Sequence, residues 1–142
     1  MAAKNASSAG SRTGAGLHME TFRDGTLAGV GKRSAGQKSG RWMYYFRNGE
    51  LKAAGNYLNG QLEGLWRWHR EGGGLLQVGR FKDGKQVGLW KRYHASGELC
   101  DIGKYLAGTK AGEWRYYDKQ GKLRRTEQHT SRMQRASRKD VT

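Results

Sequence analysis

The 142-residue chain carries 27 lysines and arginines against 12 acids, a net charge of +15, with 23 glycines, no proline and one cysteine. A lone thiol excludes an internal disulfide and cannot build a zinc site unaided, and no stretch approaches the roughly 20 apolar residues of a membrane span. The length suits one domain, and the charge favours an acidic partner: nucleic acid, anionic lipid or an acidic protein surface.

Residues 1–15 are rich in Ala, Ser and Gly and read as a flexible arm. They contain no apolar core of signal-peptide length. With Cys100 as the only thiol, a soluble cytoplasmic protein is expected.

From about Gly16 the chain repeats itself. Trp42, Trp66, Trp90 and Trp114 are spaced by 24 residues, and Gly40, Gly64, Gly88 and Gly112 keep the same step. So do Gly49, Gly73, Gly97 and Gly121, each followed by Leu51, Leu75, Leu99 or Leu123. Gly55, Gly79 and Gly103, then Tyr57, Phe81 and Tyr105, complete the template G-x-W-x-x-Y-x-x-x-G-x-L-x-x-x-G-x-(Y/F)-x-x-G. The first repeat is degenerate, with His18 in the Trp phase, and Glu127 stands in a Gly phase at the other end. Terminal repeats of an array are commonly atypical because one side has no neighbour. The array is therefore placed at residues 16–123.

Each repeat holds two turn signals. Asn48-Gly49 and its equivalents Gly72-Gly73, Ser96-Gly97 and Gln120-Gly121 come first, then Asn59-Gly60, Asp83-Gly84 and Ala107-Gly108. Asn-Gly between alternating residues favours a two-residue type I′ hairpin loop. Two turns per period give two strands per repeat. The predicted fold is all-β: an elongated single-layer antiparallel meander of about four to five hairpin repeats.

A two-residue loop at Asn48-Gly49 sets Trp42 opposite Gly55, Tyr44 opposite Ala53 and Phe46 opposite Leu51. It likewise sets Trp66 opposite Gly79, Trp90 opposite Gly103 and Trp68 opposite Gln77. An indole beside a bare backbone patch matches the rescue of strand glycines by aromatics, so Gly79 is expected to lie under Trp66. The same register pairs Arg92 with Asp101. Trp42, Gly55, Trp66, Gly79, Trp90, Gly103 and Trp114 are thus read as structural.

Period-two alternation then sorts two faces. One carries the Trp series with Tyr44, Phe46, Leu51 and Tyr57. The other carries Tyr45, His69, Tyr93 and Tyr117, beside a row of Arg67, Lys91 and Arg115 and a second row of Arg80 and Lys104. Cations two strands apart, about 9–10 Å, repel little. Tyr45, Arg67, His69, Lys91, Tyr93, Arg115 and Tyr117 are the candidate binding surface. Those rings also serve as sheet-packing residues in an ordinary strand.

Residues 124–142 carry six basic residues and two acids with almost nothing apolar, and are expected to be a disordered basic tail.

The repeat template resembles the MORN-repeat variant of the bacterial YwqK-type antitoxin family, over about three quarters of the chain. The resemblance implies an extended single-layer hairpin array and protein-binding roles, including antitoxin. In eukaryotic relatives it implies scaffolding or contact with anionic lipid.

Chemistry offers little by contrast. There is no phosphate loop, no G-x-S-x-G and no H-E-x-x-H. His18, His69, His94 and His129 do not converge as metal ligands, and no catalytic residue, metal or cofactor is expected. The leading reading is a non-enzymatic protein-interaction module with a protein partner, acidic in view of the charge, and a toxin if the chain is an antitoxin. The alternative is a basic scaffold on nucleic acid or anionic lipid, held partly through the tail.

Overall fold

The computed structural model of the chain describes residues 12–13 and 16–130. They form one antiparallel sheet of eleven strands in sequence order. The strands are β1 (Arg12–Thr13), β2 (Leu17–Thr21), β3 (Leu27–Ser34), β4 (Gln37–Tyr45), β5 (Leu51–Leu58), β6 (Gln61–Arg70), β7 (Gly73–Lys82), β8 (Lys85–Tyr93), β9 (Leu99–Leu106), β10 (Thr109–Tyr117) and β11 (Leu123–His129). Each pairs only with its neighbours in sequence, as in the predicted meander. No described segment is helical, so no helix is long and apolar enough to cross a membrane.

The described sheet runs past the expected array. Residues 124–129, expected as the start of the tail, lie in β11 and pair with β10. Arg12–Thr13, expected within the arm, pair with β2. The rest of the expected arm and tail (1–11, 14–15 and 131–142) lies outside the described residues.

The two turn series differ, and one departs from expectation. Ala35-Gly36, Asn59-Gly60, Asp83-Gly84 and Ala107-Gly108 hold positive φ at both positions, as a type I′ turn requires. Three of these glycine N–H groups also stitch neighbouring repeats: Gly60 donates to the Lys38 carbonyl and Gly84 to the Leu62 carbonyl, each at 3.0 Å, and Gly108 to the Gln86 carbonyl at 2.9 Å.

At Asn48-Gly49 only the glycine has positive φ. The Phe46 N–H donates to the Glu50 carbonyl and the Gly49 N–H to the Phe46 carbonyl. That is a three-residue loop, a type I turn closed by a left-handed glycine. Asn48 Oδ1 fixes it by accepting the Glu50 N–H at 2.9 Å. Lys52 becomes an extra bulged residue, and Leu51 faces Tyr45 rather than Phe46. Leu51, Leu99 and Leu123 therefore pair with Tyr45, Tyr93 and Tyr117, and two register shifts beside the Gly72-Gly73 turn pair Leu75 with His69, so all four leucines lie opposite the Trp face and not on it as expected.

A wide bulge sits in each of the other hairpins. Between the pairs Asn56–Glu63 and Ala54–Arg67, the single residue Gly55 faces three: Gly64, Leu65 and Trp66. Gly64 turns the bulge with φ near +70°, a conformation that L side chains resist. This is the physical role of the first glycine in the template.

The bulge also redirects the tryptophan. Register places Trp66 opposite Gly79, as expected, but its ring lies over Gly55, eleven residues upstream. Gly79 is covered by Trp90, Gly103 by Trp114 and Gly31 by Trp42. A Cβ on any of these glycines would fall within the indole. Each indole N–H then donates to the carbonyl just after the covered glycine: Trp42 to Lys32, Trp66 to Asn56, Trp90 to Arg80 and Trp114 to Lys104, at 2.7–3.1 Å.

Candidate interaction face

The Trp face is the core of a sheet with no second layer. Trp42, Trp66, Trp90 and Trp114 are buried although nothing but their own neighbours covers them. Tyr44 stacks on Trp42 at 5.9 Å and the Tyr57 ring meets the same indole edge-on at 6.2 Å. Face-on and tilted contacts continue from Tyr44 to Trp66, Trp68 and Trp90 at 5.8–6.3 Å until Arg92 occupies the next position, and edge-on contacts carry on from Trp90 through Tyr105 to Trp114 at 5.8 and 5.1 Å. Offset rings at such distances attract beyond their area burial.

Several cations on this face are held by rings, hydroxyls and carboxylates of the same face. The Lys38 ammonium sits 4.6 Å over the Trp42 ring, donates to the Tyr44 hydroxyl at 2.8 Å and pairs with Glu20 at 3.3 Å. Arg33 also reaches Glu20. Arg92 pairs with Asp101 through Nη2 at 2.6 Å, the predicted salt bridge. Lys110 repeats the Lys38 arrangement, 4.5 Å over Trp114 and bonded to the Tyr116 hydroxyl. Burial, then their mutual hydrogen bond, keeps Tyr57 protonated well above the usual tyrosine range, and burial raises Tyr44 as well. Among the described residues Trp68 alone of the five tryptophans makes no indole N–H hydrogen bond.

The opposite face is different in kind. One line of paired residues crosses it from β4 to β11: Met43, Ala54, Arg67, Val78, Lys91, Ile102, Arg115 and Thr126. From β6 to β10 every second position is basic, with Val78 and Ile102 between. A parallel line holds Leu65, Arg80 and Val87, then Leu89, Lys104 and Ala111. Arg67, Arg80 and Lys104 are exposed, and Lys91 is half-buried. Among the described residues none of these four has an acidic partner. Arg115 does, with Glu113 at 2.6 Å. A shallow hollow of about 380 Å³ lies between Leu89, Ile102 and Ala111, rimmed by Lys104 and Arg115.

Residues 38–59, 86–106 and 110–130 each match the family model described as MORN repeat variant. Three repeats of the array are thus similar to that variant. No curated protein matches the chain. Among solved structures, the crystal structure of a GtfA/B complex bound to UDP and GlcNAc aligns over 92% of this chain at 10% identity and a TM-score of 0.35. This chain spans only 26% of that one, and so slight a likeness bears on neither fold nor function.

The array brings all seven candidate surface residues to one face. Tyr45, His69, Tyr93 and Tyr117 form a row with their leucine partners, beside the row of Arg67, Lys91 and Arg115. The leucine half of the first row does not follow from a two-residue loop at Asn48-Gly49; the third loop residue puts Leu51 beside Tyr45. In the structural series the glycine partners are reassigned: Gly55, Gly79 and Gly103 lie under Trp66, Trp90 and Trp114. MORN repeats of this kind suggest a repeat-based interaction module.

Proposed function

We propose that this MORN-variant array is a non-enzymatic interaction module whose basic face, with Tyr45, Arg67, His69, Lys91, Tyr93, Arg115 and Tyr117, takes an acidic protein partner. The observation that carries the reading is a set of cations with no acidic partner among the described residues: Arg67, Arg80, Lys91 and Lys104 alternate with apolar residues on an open sheet. Arginine and tyrosine are favoured anchors in protein interfaces, and an acidic partner would relieve the like-charge crowding that the sheet imposes. Resemblance to YwqK-type antitoxins makes an acidic toxin one such partner.

The test is co-purification from the native cell with the wild-type chain and with an Arg67→Glu/Lys91→Glu variant. The expected result is one stoichiometric acidic protein that the variant loses. An unchanged complex with the variant would contradict the reading. Recovery of mixed nucleic acid instead, with log affinity falling against log salt at a slope of about −3 to −4 for four neutralised phosphates, would replace it with the scaffold alternative. Anionic vesicles bound by both chains would do the same for lipid.

A further inference from the structure

The basic face has a pitch as well as a charge. Arg67, Lys91 and Arg115 stand on every second strand of one paired line, with Val78 and Ile102 between them. Two strand steps amount to about 9.6 Å. A ligand that meets all three cations must carry anions at that interval.

Three backbone forms can be compared with this spacing. Every second residue of a β-strand repeats at about 6.8 Å. Seven residues of an α-helix, the shortest run that returns to the same side in whole turns, advance about 10.5 Å. Three residues of a polyproline II helix advance about 9.3 Å and return to the same edge. Over two intervals the polyproline form accumulates about 0.6 Å of mismatch, the helix about 1.8 Å and the strand several ångströms. The polyproline form follows the spacing most closely and so asks least of the lysine and arginine side chains, while the strand fits worst.

The surroundings agree with an extended peptide rather than a nucleic acid. Single-strand sites place aromatic rings where successive bases stack. Here the residues between successive cations are Val78 and Ile102, and the tyrosines lie in a separate row to one side. The second basic row, Arg80 and Lys104, lies one strand out of step with the first. It can meet the carbonyls or acids that a three-sided helix turns to its other edges.

We infer that the basic face reads an extended acidic segment in the polyproline II conformation with a carboxylate at every third residue, lying across the strands along the array. This inference rests on the face assignment above. Glu113 marks the limit of the site, because it already holds Arg115 and repels a ligand carboxylate.

The test is a fluorescence-anisotropy titration of the full chain with labelled synthetic peptides at low salt. One peptide repeats Glu-Pro-Pro, a second repeats Glu-Pro with the same number of glutamates, and a third is a helical peptide with glutamate at every seventh residue. The Glu-Pro-Pro peptide should bind roughly five- to tenfold tighter than either control, the worth of one or two surface ion pairs kept in register. Lys91→Gln should abolish that advantage, and Glu113→Gln should enlarge it. Equal binding of all three peptides, still weakened by Lys91→Gln, would overturn the register and leave the basic face as the docking surface. Tighter binding of the helical peptide would overturn the polyproline form. Peptide binding indifferent to both Arg67→Gln and Lys91→Gln would overturn the face assignment together with the inference, and a single-stranded oligonucleotide that outcompetes every peptide would do the same.

Discussion

The two faces of this sheet share every backbone hydrogen bond yet treat their cations in opposite ways. On the Trp face, Lys38, Lys110, Arg33, Arg92 and Arg125 each sit against a ring, a hydroxyl or a carboxylate. On the other face Arg67, Arg80, Lys91 and Lys104 sit beside Val, Ile and Leu. A sheet must ordinarily bury one face against a second layer. Here stacked indoles, lying on glycines, supply the missing layer from the same strands. One face is thereby completed as a core, and the other is left open along the whole array.

If the Trp face is the core, truncation there should cost far more than anything opposite. Trp66→Ala should destabilise the array by about 3–5 kcal/mol, as for other buried aromatics, read from urea unfolding. Lys91→Gln should stay within about 0.5 kcal/mol of the parent, as for a surface change. Equal costs at the two sites would show that the indole is not a core group.

Gly55→Ala comes next. Its Cβ would enter the Trp66 ring, and overpacking of this kind costs about 1–3 kcal/mol. Glu127→Gly is the informative counterpart. Glu127 stands in a Gly phase, but the position in the Trp phase that would cover it is Arg138. Restoring the glycine should therefore gain nothing, and should lose the carboxylate that accepts the Tyr116 hydroxyl at 2.8 Å. Stabilisation by Glu127→Gly would contradict the assignment of rings to glycines.

Acid should loosen the edge that joins repeats. The Gly72 N–H, then the Asn48 amide, holds Glu50 below the ordinary glutamate value of 4.5. A carboxylate with a depressed folded pKa contributes stability above its unfolded value and loses it as pH falls through the folded one. Thermal midpoints of wild type and Glu50→Gln should therefore differ at pH 7 and draw together as pH falls below 4.5. A constant difference across that range would exclude the Glu50 link as an ionic contact.

The smallest expected effect lies at a turn that belongs to neither face. Ala107 adopts φ near +47° in a type I′ turn, where Asn is preferred. Ala107→Asn should stabilise by up to about 1 kcal/mol in the same urea titration, without altering peptide binding.

Much of this was legible in the sequence. The 24-residue phase of tryptophans and glycines yields the meander, the Trp–Gly registers, the Arg92–Asp101 pair and the single face shared by the candidate residues. What escaped has identifiable causes. Asn-Gly serves both a type I′ turn and a type I turn closed by a left-handed glycine. The choice moved Leu51, Leu75, Leu99 and Leu123 to the other face. Each tryptophan also has two glycines in phase, eleven residues before and thirteen after, so Trp66 is compatible with Gly55 or Gly79. Glu127 held the answer: Trp114 has no downstream glycine, whereas its upstream partner Gly103 is present. The first glycine of the template was silent because a bulge leaves no mark in an alternating pattern.

Lysine footprinting bears most directly on the division between the faces. The full chain would be acetylated briefly, alone and with the Glu-Pro-Pro peptide or its native acidic partner bound, and each lysine quantified by mass spectrometry. Lys91 and Lys104 should be protected by the ligand, while Lys38 and Lys110, held over Trp42 and Trp114, should react slowly and equally in both states. Protection of Lys38 and Lys110 with Lys91 and Lys104 unchanged would mean that the Trp face, not the basic face, is where partners lie.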